Sequence, residues 1–220
     1  MVVVMRLLDS LHFALFRRFS IPVELRSLMA GFFIISKFND ENIADAVEIY
    51  VHDPRQALLF FGPIEWWDVH EVTDMSYVFH DYHAFNEDIS RWDVSNVTCM
   101  DKMFKMALSF NQPLNQWNVS KVTSMQSMFS LARKFNQPLD SWDVSNVTEM
   151  SFMFDAASSF NQTLDTWKVS HQTHMYGIFH DLPIFKQQLT NWNIPDFEQK
   201  AILAALPYRY QGPTLIVNMA

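Results

Sequence analysis

The sequence predicts an α/β repeat, a solenoid of strand–helix units closed by helical caps at both ends. Three observations carry this. Tryptophan falls at Trp67, Trp92, Trp117, Trp142, Trp167 and Trp192, every interval being 25 residues. Apolar residues return in register inside each interval. The spacing of those residues changes from two to three or four part-way along each unit. Self-similarity at a fixed period outranks local propensity, because one unit cannot bury its apolar face alone and must stack on its neighbours.

With tryptophan as position 0, position 2 holds Val69, Val94, Val119, Val144, Val169 and Ile194. Position 8 is Met75, Met100, Met125, Met150 and Met175, and position 12 is Phe79, Phe104, Phe129, Phe154 and Phe179. Phe85, Phe110, Phe135, Phe160 and Phe185 stand at position 18. Leu139-x-x-Trp142-x-Val144 fits the strand template of leucine-rich repeats, with Trp142 and Val144 inward and Asp143 outward as a pleat requires. Val147, Met150, Met153, Phe154, Ala157 and Phe160 then recur every three or four residues, the stripe expected of an amphipathic helix. Ser145 or Thr148 is placed to cap that helix. The expected fold is therefore a leucine-rich-repeat-like solenoid, departing from the template where Val72, Val97, Val122 and Val147 replace its Asn or Cys.

Four stretches follow. Residues 1–37 are apolar and basic, with five basic and two acidic groups. Residues 38–66 carry six acidic groups and one basic, and are expected to form a helical N-cap over 42–59, entered through Asn39 or Asp40. Residues 67–191 are five full repeats. Residues 192–220 are expected to cap the other end, Pro195 opening a helix that Pro207 stops.

Composition excludes several function classes. The net charge is −8, the repeats are acidic, and no continuous basic groove exists, which disfavours nucleic acid. Four glycines and no Gly-rich phosphate motif argue against nucleotide cradles. Cys99 is the single cysteine, so neither an internal disulfide nor a cysteine metal cluster can form. No run of 18 apolar residues supports a transmembrane helix, and the opening MVVVMRLLDSLHFALFRRF is a poor secretory signal without a lipid-attachment cysteine.

Candidate sites divide into structural and exposed columns. Asn86, Asn111, Asn136 and Asn161, each followed by Glu or Gln, are read as an amide ladder bonding turn backbones between units. The six tryptophans are read as core. His171 and His174, three residues apart and near His180, have a zinc-compatible spacing, but their register places them on an outward surface, so no metal is assigned. Cys99 lies in a freely varying column and reads as surface. The sequons at Asn96, Asn118, Asn146 and Asn161 arise from the repeat formula itself. The binding-face candidates are the outward residues around each tryptophan: Arg91, Asp93, Asn118, Asp140, Asp143, Asp165 and Lys168. No catalytic residue and no cofactor is assigned.

The pattern F-N-x-x-L-x-x-W-D-V-S-x-V-T-x-M-x-x-M-F resembles the BspA-type repeat of surface proteins, also described as a mycoplasma-lipoprotein-like domain of unknown function. The resemblance covers residues 67–194, and the acidic leader 38–69 is similar to the segment that often precedes such repeats. It implies a non-enzymatic scaffold for protein–protein interaction, a protein partner or self-association, and a cell-surface or extracellular setting. A second resemblance, of IPVELRSLMAGFF at 21–33 to the opening of an F-box, implies instead an intracellular adaptor whose N-terminal segment recruits another protein. A plain helical pair docked on the repeats is the simpler reading of the same residues.

Overall fold

A computed structural model describes residues 36–187, 189 and 192. The expectations for residues 1–35 and for the C-terminal cap from 193 onward lie outside the described residues.

The leader folds into two short helices, α1 (Ile43–His52) and α2 (Pro54–Phe61), followed by a 3-10 turn at Ile64–Trp66. In α1, Ile43, Ala46 and Val47 face the core at the i, i+3, i+4 spacing of one helical stripe. The single helix expected over 42–59 is broken at Asp53. Pro54 has no N–H to continue the ladder and disfavours helical backbone in the residue before it. Asp53 instead starts α2, its carboxylate accepting the N–H groups of Arg55 and Gln56. Gly62, at φ 73°, closes that helix with a bond from its N–H to Leu58 O.

The strand–helix solenoid is overturned. Among the described residues the only helices precede the first tryptophan unit, and no strand is present, only isolated parallel bridges such as Asp74–Cys99, Cys99–Ser124 and Ser124–Glu149. From Trp67 onward the backbone is a succession of tight turns. The N–H of Trp142 bonds to Leu139 O, Val147 to Val144 O, Met153 to Met150 O, Ala157 to Phe154 O and Phe160 to Ala157 O. Each turn brings the chain back inward after three residues, so the buried side chains recur at the interval that reads as a helical stripe.

A helix is excluded there because the donors it needs are committed elsewhere. The N–H groups of Met150, Phe152, Phe154 and Ala156 donate to His174, Tyr176, Ile178 and His180, at 2.7, 2.9, 3.0 and 2.9 Å. The same four bonds join the first unit to the second, the second to the third and the third to the fourth. Alternate residues turn left-handed to aim them: Tyr77, Lys102, Ser127 and Phe152 at position 10, with Asp81, Met106, Leu131 and Ala156 at position 14, all have positive φ. Ser145 and Thr148 accordingly cap no helix. Thr148 donates both its N–H and its hydroxyl to Thr123 O, as Thr123 does to Thr98 O.

Between the turns the apolar columns stack. Phe79, Phe104, Phe129 and Phe154 lie 5.3, 5.5 and 5.7 Å apart in succession, nearly parallel. Within one unit the two phenylalanines stack closer still, Phe129 on Phe135 at 4.0 Å. From Trp92 onward the indole N–H of each unit is satisfied by a carbonyl 28 residues earlier, Trp92 on Ile64, Trp117 on Ile89, Trp142 on Leu114, Trp167 on Leu139 and Trp192 on Leu164, while Trp67 reaches Gly62 O. A buried indole thus carries no unpaired donor.

The leader seals the first unit. Phe38 packs on Trp67 at 4.6 Å, and its N–H reaches Asp68 O. Asp40 takes the place that a threonine carbonyl holds elsewhere, accepting the Thr73 N–H and hydroxyl and the Asp74 N–H at 2.7, 2.6 and 3.0 Å.

Trp142→Ala, which deletes a buried ring and orphans Leu114 O, is expected to cost about 3–5 kcal/mol in urea unfolding. A melting temperature equal to that of the unsubstituted chain is the outcome that contradicts the stacked column. Gly177 sits at φ +63°, and a Cβ there would fall 2.7 Å from the Phe152 ring. Gly177→Ala is expected to lose about 1–3 kcal/mol, less when combined with Phe152→Ala.

Candidate functional site

The position-1 column lies outside the stack, and its members hold their own turns. Asp68 Oδ1 accepts the N–H of His70, Asp93 Oδ1 that of Ser95, Asn118 Oδ1 that of Ser120, and Asp143 Oδ1 that of Ser145, at 3.1–3.2 Å. A short acidic or amide side chain bonding the backbone two residues on is an Asx turn, which fixes the side chain. Hydrogen bonds from the Ser95 hydroxyl and N–H hold the Asp93 carboxyl below the ordinary carboxylate range against the opposing effect of burial, and His70 adds to the lowering. Ser145 does the same for Asp143, with a smaller contribution from the Lys168 charge. Both therefore stand ionised and oriented on an exposed surface.

The other exposed candidates are placed as follows. Asp140 accepts Asn115 Nδ2 at 3.1 Å, while Asn115 Oδ1 accepts the Ser141 N–H, so these side chains tie the corners before Trp117 and Trp142 together. Thr166 adds a bond to the Asp140 carbonyl at 2.7 Å. Arg91 and Lys168 are exposed at either end of this surface. Asp165 is half-buried, its N–H directed at Thr163 Oγ1. Lys168 cannot form the Asx turn, and in that unit Ser170 Oγ accepts the Gln172 N–H instead.

The histidines do not converge. His171 is exposed, His174 points to Glu149 at 3.5 Å, and His180 bonds Asp155 at 2.7 Å. Among the described residues no three His, Cys, Asp or Glu side chains are placed to share an ion.

The asparagines at position 19 are joined by side-chain bonds running up the stack. Asn111 N–H donates to Asn86 Oδ1, Asn136 to Asn111 and Asn161 to Asn136, at 2.8–2.9 Å. The glutamine that follows each donates to the preceding asparagine's carbonyl. Lys186 ends the amide column, yet its N–H still reaches Asn161 Oδ1.

Cys99 is half-buried rather than free surface. Burial pushes its thiol pKa up, and Ser76 Oγ lies 3.1 Å from the sulfur. The Asn96 and Asn146 amides donate to the carbonyls of His70 and Ser120.

Two features escaped the sequence reading. One is the role of Asp40, which the sequence offers only as an entry to the leader helix and which instead accepts from Thr73 and Asp74. The other is the contact of His70 Nδ1 with Asp93 at 2.8 Å, joined by Asn96 Nδ2 on the opposite ring nitrogen at 3.2 Å. It pairs positions 3 and 1 of successive units, a diagonal that becomes visible only when the units are stacked.

The class thus defined is a chain of stacked 25-residue turn units with a fixed acidic row on its outside. Residues 30–137 and 114–203 match the family described as Mycoplasma protein of unknown function, DUF285, and the chain belongs to that family. Comparisons with curated proteins and with solved structures give no match. Among the described residues no helix is long and apolar enough to cross a membrane.

Asp40 also titrates below the ordinary range, because its bonds from Thr73 and Asp74 outweigh the opposing effect of burial. A carboxyl whose folded pKa is depressed stabilises the fold above its unfolded pKa, about 3.9, and loses that contribution as pH falls through the folded value. The stability difference between the unsubstituted chain and Asp40→Asn is therefore expected to stay constant from about pH 7 to 5 and to shrink below about pH 4, read by urea unfolding at each pH. His171→Ala is expected to leave metal content unchanged when the purified chain is assayed by atomic emission.

Proposed function

We propose that this chain is a non-enzymatic scaffold that binds a protein partner, and that the partner presents a basic surface to the outward column of Asp68, Asp93, Asn118 and Asp143. The observation that supports this is the Asx-turn geometry: the Asp93 and Asp143 carboxylates are exposed yet already immobilised. Side chains fixed before binding lose less entropy on association, and a predominantly acidic row steers an oppositely charged partner. The interior columns are committed to stacking, so partner choice rests with the outward residues. The likeness of the repeat formula to BspA-type surface proteins supports adhesion or assembly at a cell surface as the setting.

The test is quantitative affinity capture from the native source with the full chain and with the double substitution Asp140→Lys, Asp143→Lys. Proteins retained by the unsubstituted chain are expected to bind the variant at least about tenfold more weakly and to elute at moderate salt. Because both carboxylates accept hydrogen bonds that lysine cannot, the variant is expected to lose about 1–3 kcal/mol in unfolding, and capture is compared at a temperature where both chains are folded. Identical capture by both chains overturns the acidic face as the binding surface.

A further inference from the structure

The sequons at Asn96, Asn118, Asn146 and Asn161 do not share one place in the repeat. Asn96-Val97-Thr98 and Asn146-Val147-Thr148 stand at positions 4 to 6, and Asn161-Gln162-Thr163 at positions 19 to 21. Asn118-Val119-Ser120 stands at positions 1 to 3. The register decides what the polar groups of each sequon do.

At positions 4 to 6 both groups are spent on the preceding unit. Asn96 Nδ2 donates to His70 O at 2.9 Å, and Asn146 Nδ2 to Ser120 O at 2.8 Å. The hydroxyls of Thr98 and Thr148 donate to Thr73 O and Thr123 O, each at 3.2 Å. At positions 19 to 21 the Asn161 side chain is half-buried in the amide ladder. Its Oδ1 accepts the Lys186 N–H at 3.1 Å and Gln187 Nε2 at 3.0 Å. Adding a sugar to any of these amides would break bonds that join one unit to the next, or force a bulky group into the ladder.

At positions 1 to 3 the asparagine replaces the aspartate of Asp68, Asp93 and Asp143, and Asn118 is exposed. Its Asx turn engages Oδ1 alone, which accepts the Ser120 N–H at 3.2 Å and the Ser120 hydroxyl at 2.7 Å. Nδ2 takes no part in the turn. The amide and the hydroxyl that define a sequon therefore lie together on one corner. They are held by bonds inside the sequon rather than by bonds to a neighbouring unit.

We propose that the folded chain is an acceptor for N-linked carbohydrate at Asn118 and at none of the other three sequons. The donor class is a polyprenyl-diphosphate-linked oligosaccharide. The bond from the anomeric carbon to Nδ2 forms as the bond from that carbon to the diphosphate oxygen breaks. The lipid diphosphate leaves, and Nδ2 gives one proton to the base of the transferring enzyme. The glycan would stand between Asp93 and Asp143 in the outward column, yet the assignment does not depend on that column binding a partner.

The test incubates the purified full chain with a lipid-linked donor and an oligosaccharyltransferase chosen because it modifies unfolded peptides carrying each of the four sequons. Intact mass and peptide mapping read the sites. One glycan per chain is expected, on Asn118. Occupancy at Asn96, Asn146 and Asn161 is expected to be at least about tenfold lower, because each must wait for local opening of the stack. Asn118→Asp keeps an Asx turn of the kind formed by Asp93 and Asp143, so it is expected to melt with the unsubstituted chain and to take no glycan. A folded chain left unmodified at Asn118 overturns the proposal. So does equal occupancy at Asn118 and any other sequon, or an undiminished yield of glycan on Asn118→Asp.

Discussion

The structure depends on where buried backbone donors find acceptors. A chain that turns every few residues cannot satisfy its own N–H groups as a helix does, and burying them unpaired costs roughly what a lost hydrogen bond costs. Here they are satisfied 24 residues ahead, as Tyr77 N–H on Asp101 O and Lys102 N–H on Gln126 O show. This places a strict demand on spacing: one inserted residue would point the next donor away from its acceptor. It also explains why ordinary residues accept left-handed backbone at positions 10 and 14. The strain, of order 1–2 kcal/mol per residue, is offset by the bonds that only this path permits.

The side-chain columns follow from the same demand. Once backbones are held layer on layer, identical rings lie face to face, and the indole of one unit reaches a carbonyl left over at the corner of the one before. Asparagine at position 19 serves where the backbone must be bonded by a side chain, because its carbonyl oxygen reaches the next main-chain N–H. What remains for recognition is the outside of the corners. Even there the acids are partly committed, one oxygen of each to its turn and, at Asp93, the other to His70.

The register and the set of inward side chains are legible in the sequence because burial depends only on which residues recur. The path between them is not. A chain of three-residue turns and an amphipathic helix place apolar residues at nearly the same interval, and Val147, Met150, Met153 and Ala157 satisfy both patterns. Left-handed backbone at Tyr77 or Lys102 leaves no mark in residue type, since neither is glycine or asparagine. At the candidate site, Asp143 could be placed outside by alternation. Its bond to Ser145 follows from the D-x-S spacing, a signal that the helix-capping reading of Ser145 obscured. Asp40 reads locally only as a helix entry, because its partners Thr73 and Asp74 are more than 30 residues away.

Every internal unit offers its neighbours the same groups at the same heights, and this makes length a quantised property of the fold. Removing residues 117–141 would bring Trp142 into the place of Trp117 and Asn161 into that of Asn136, with Ile89 O ready for the indole and Asn111 Oδ1 for the Asn161 N–H. The joint would be chemically indistinguishable from those around it. Chain length in such an architecture can thus lengthen or shorten by whole 25-residue steps through duplication or loss, with both ends conserved. Each step would add or remove one outward corner with its own variable residues, so the reach of the surface can change without any rearrangement of the interior.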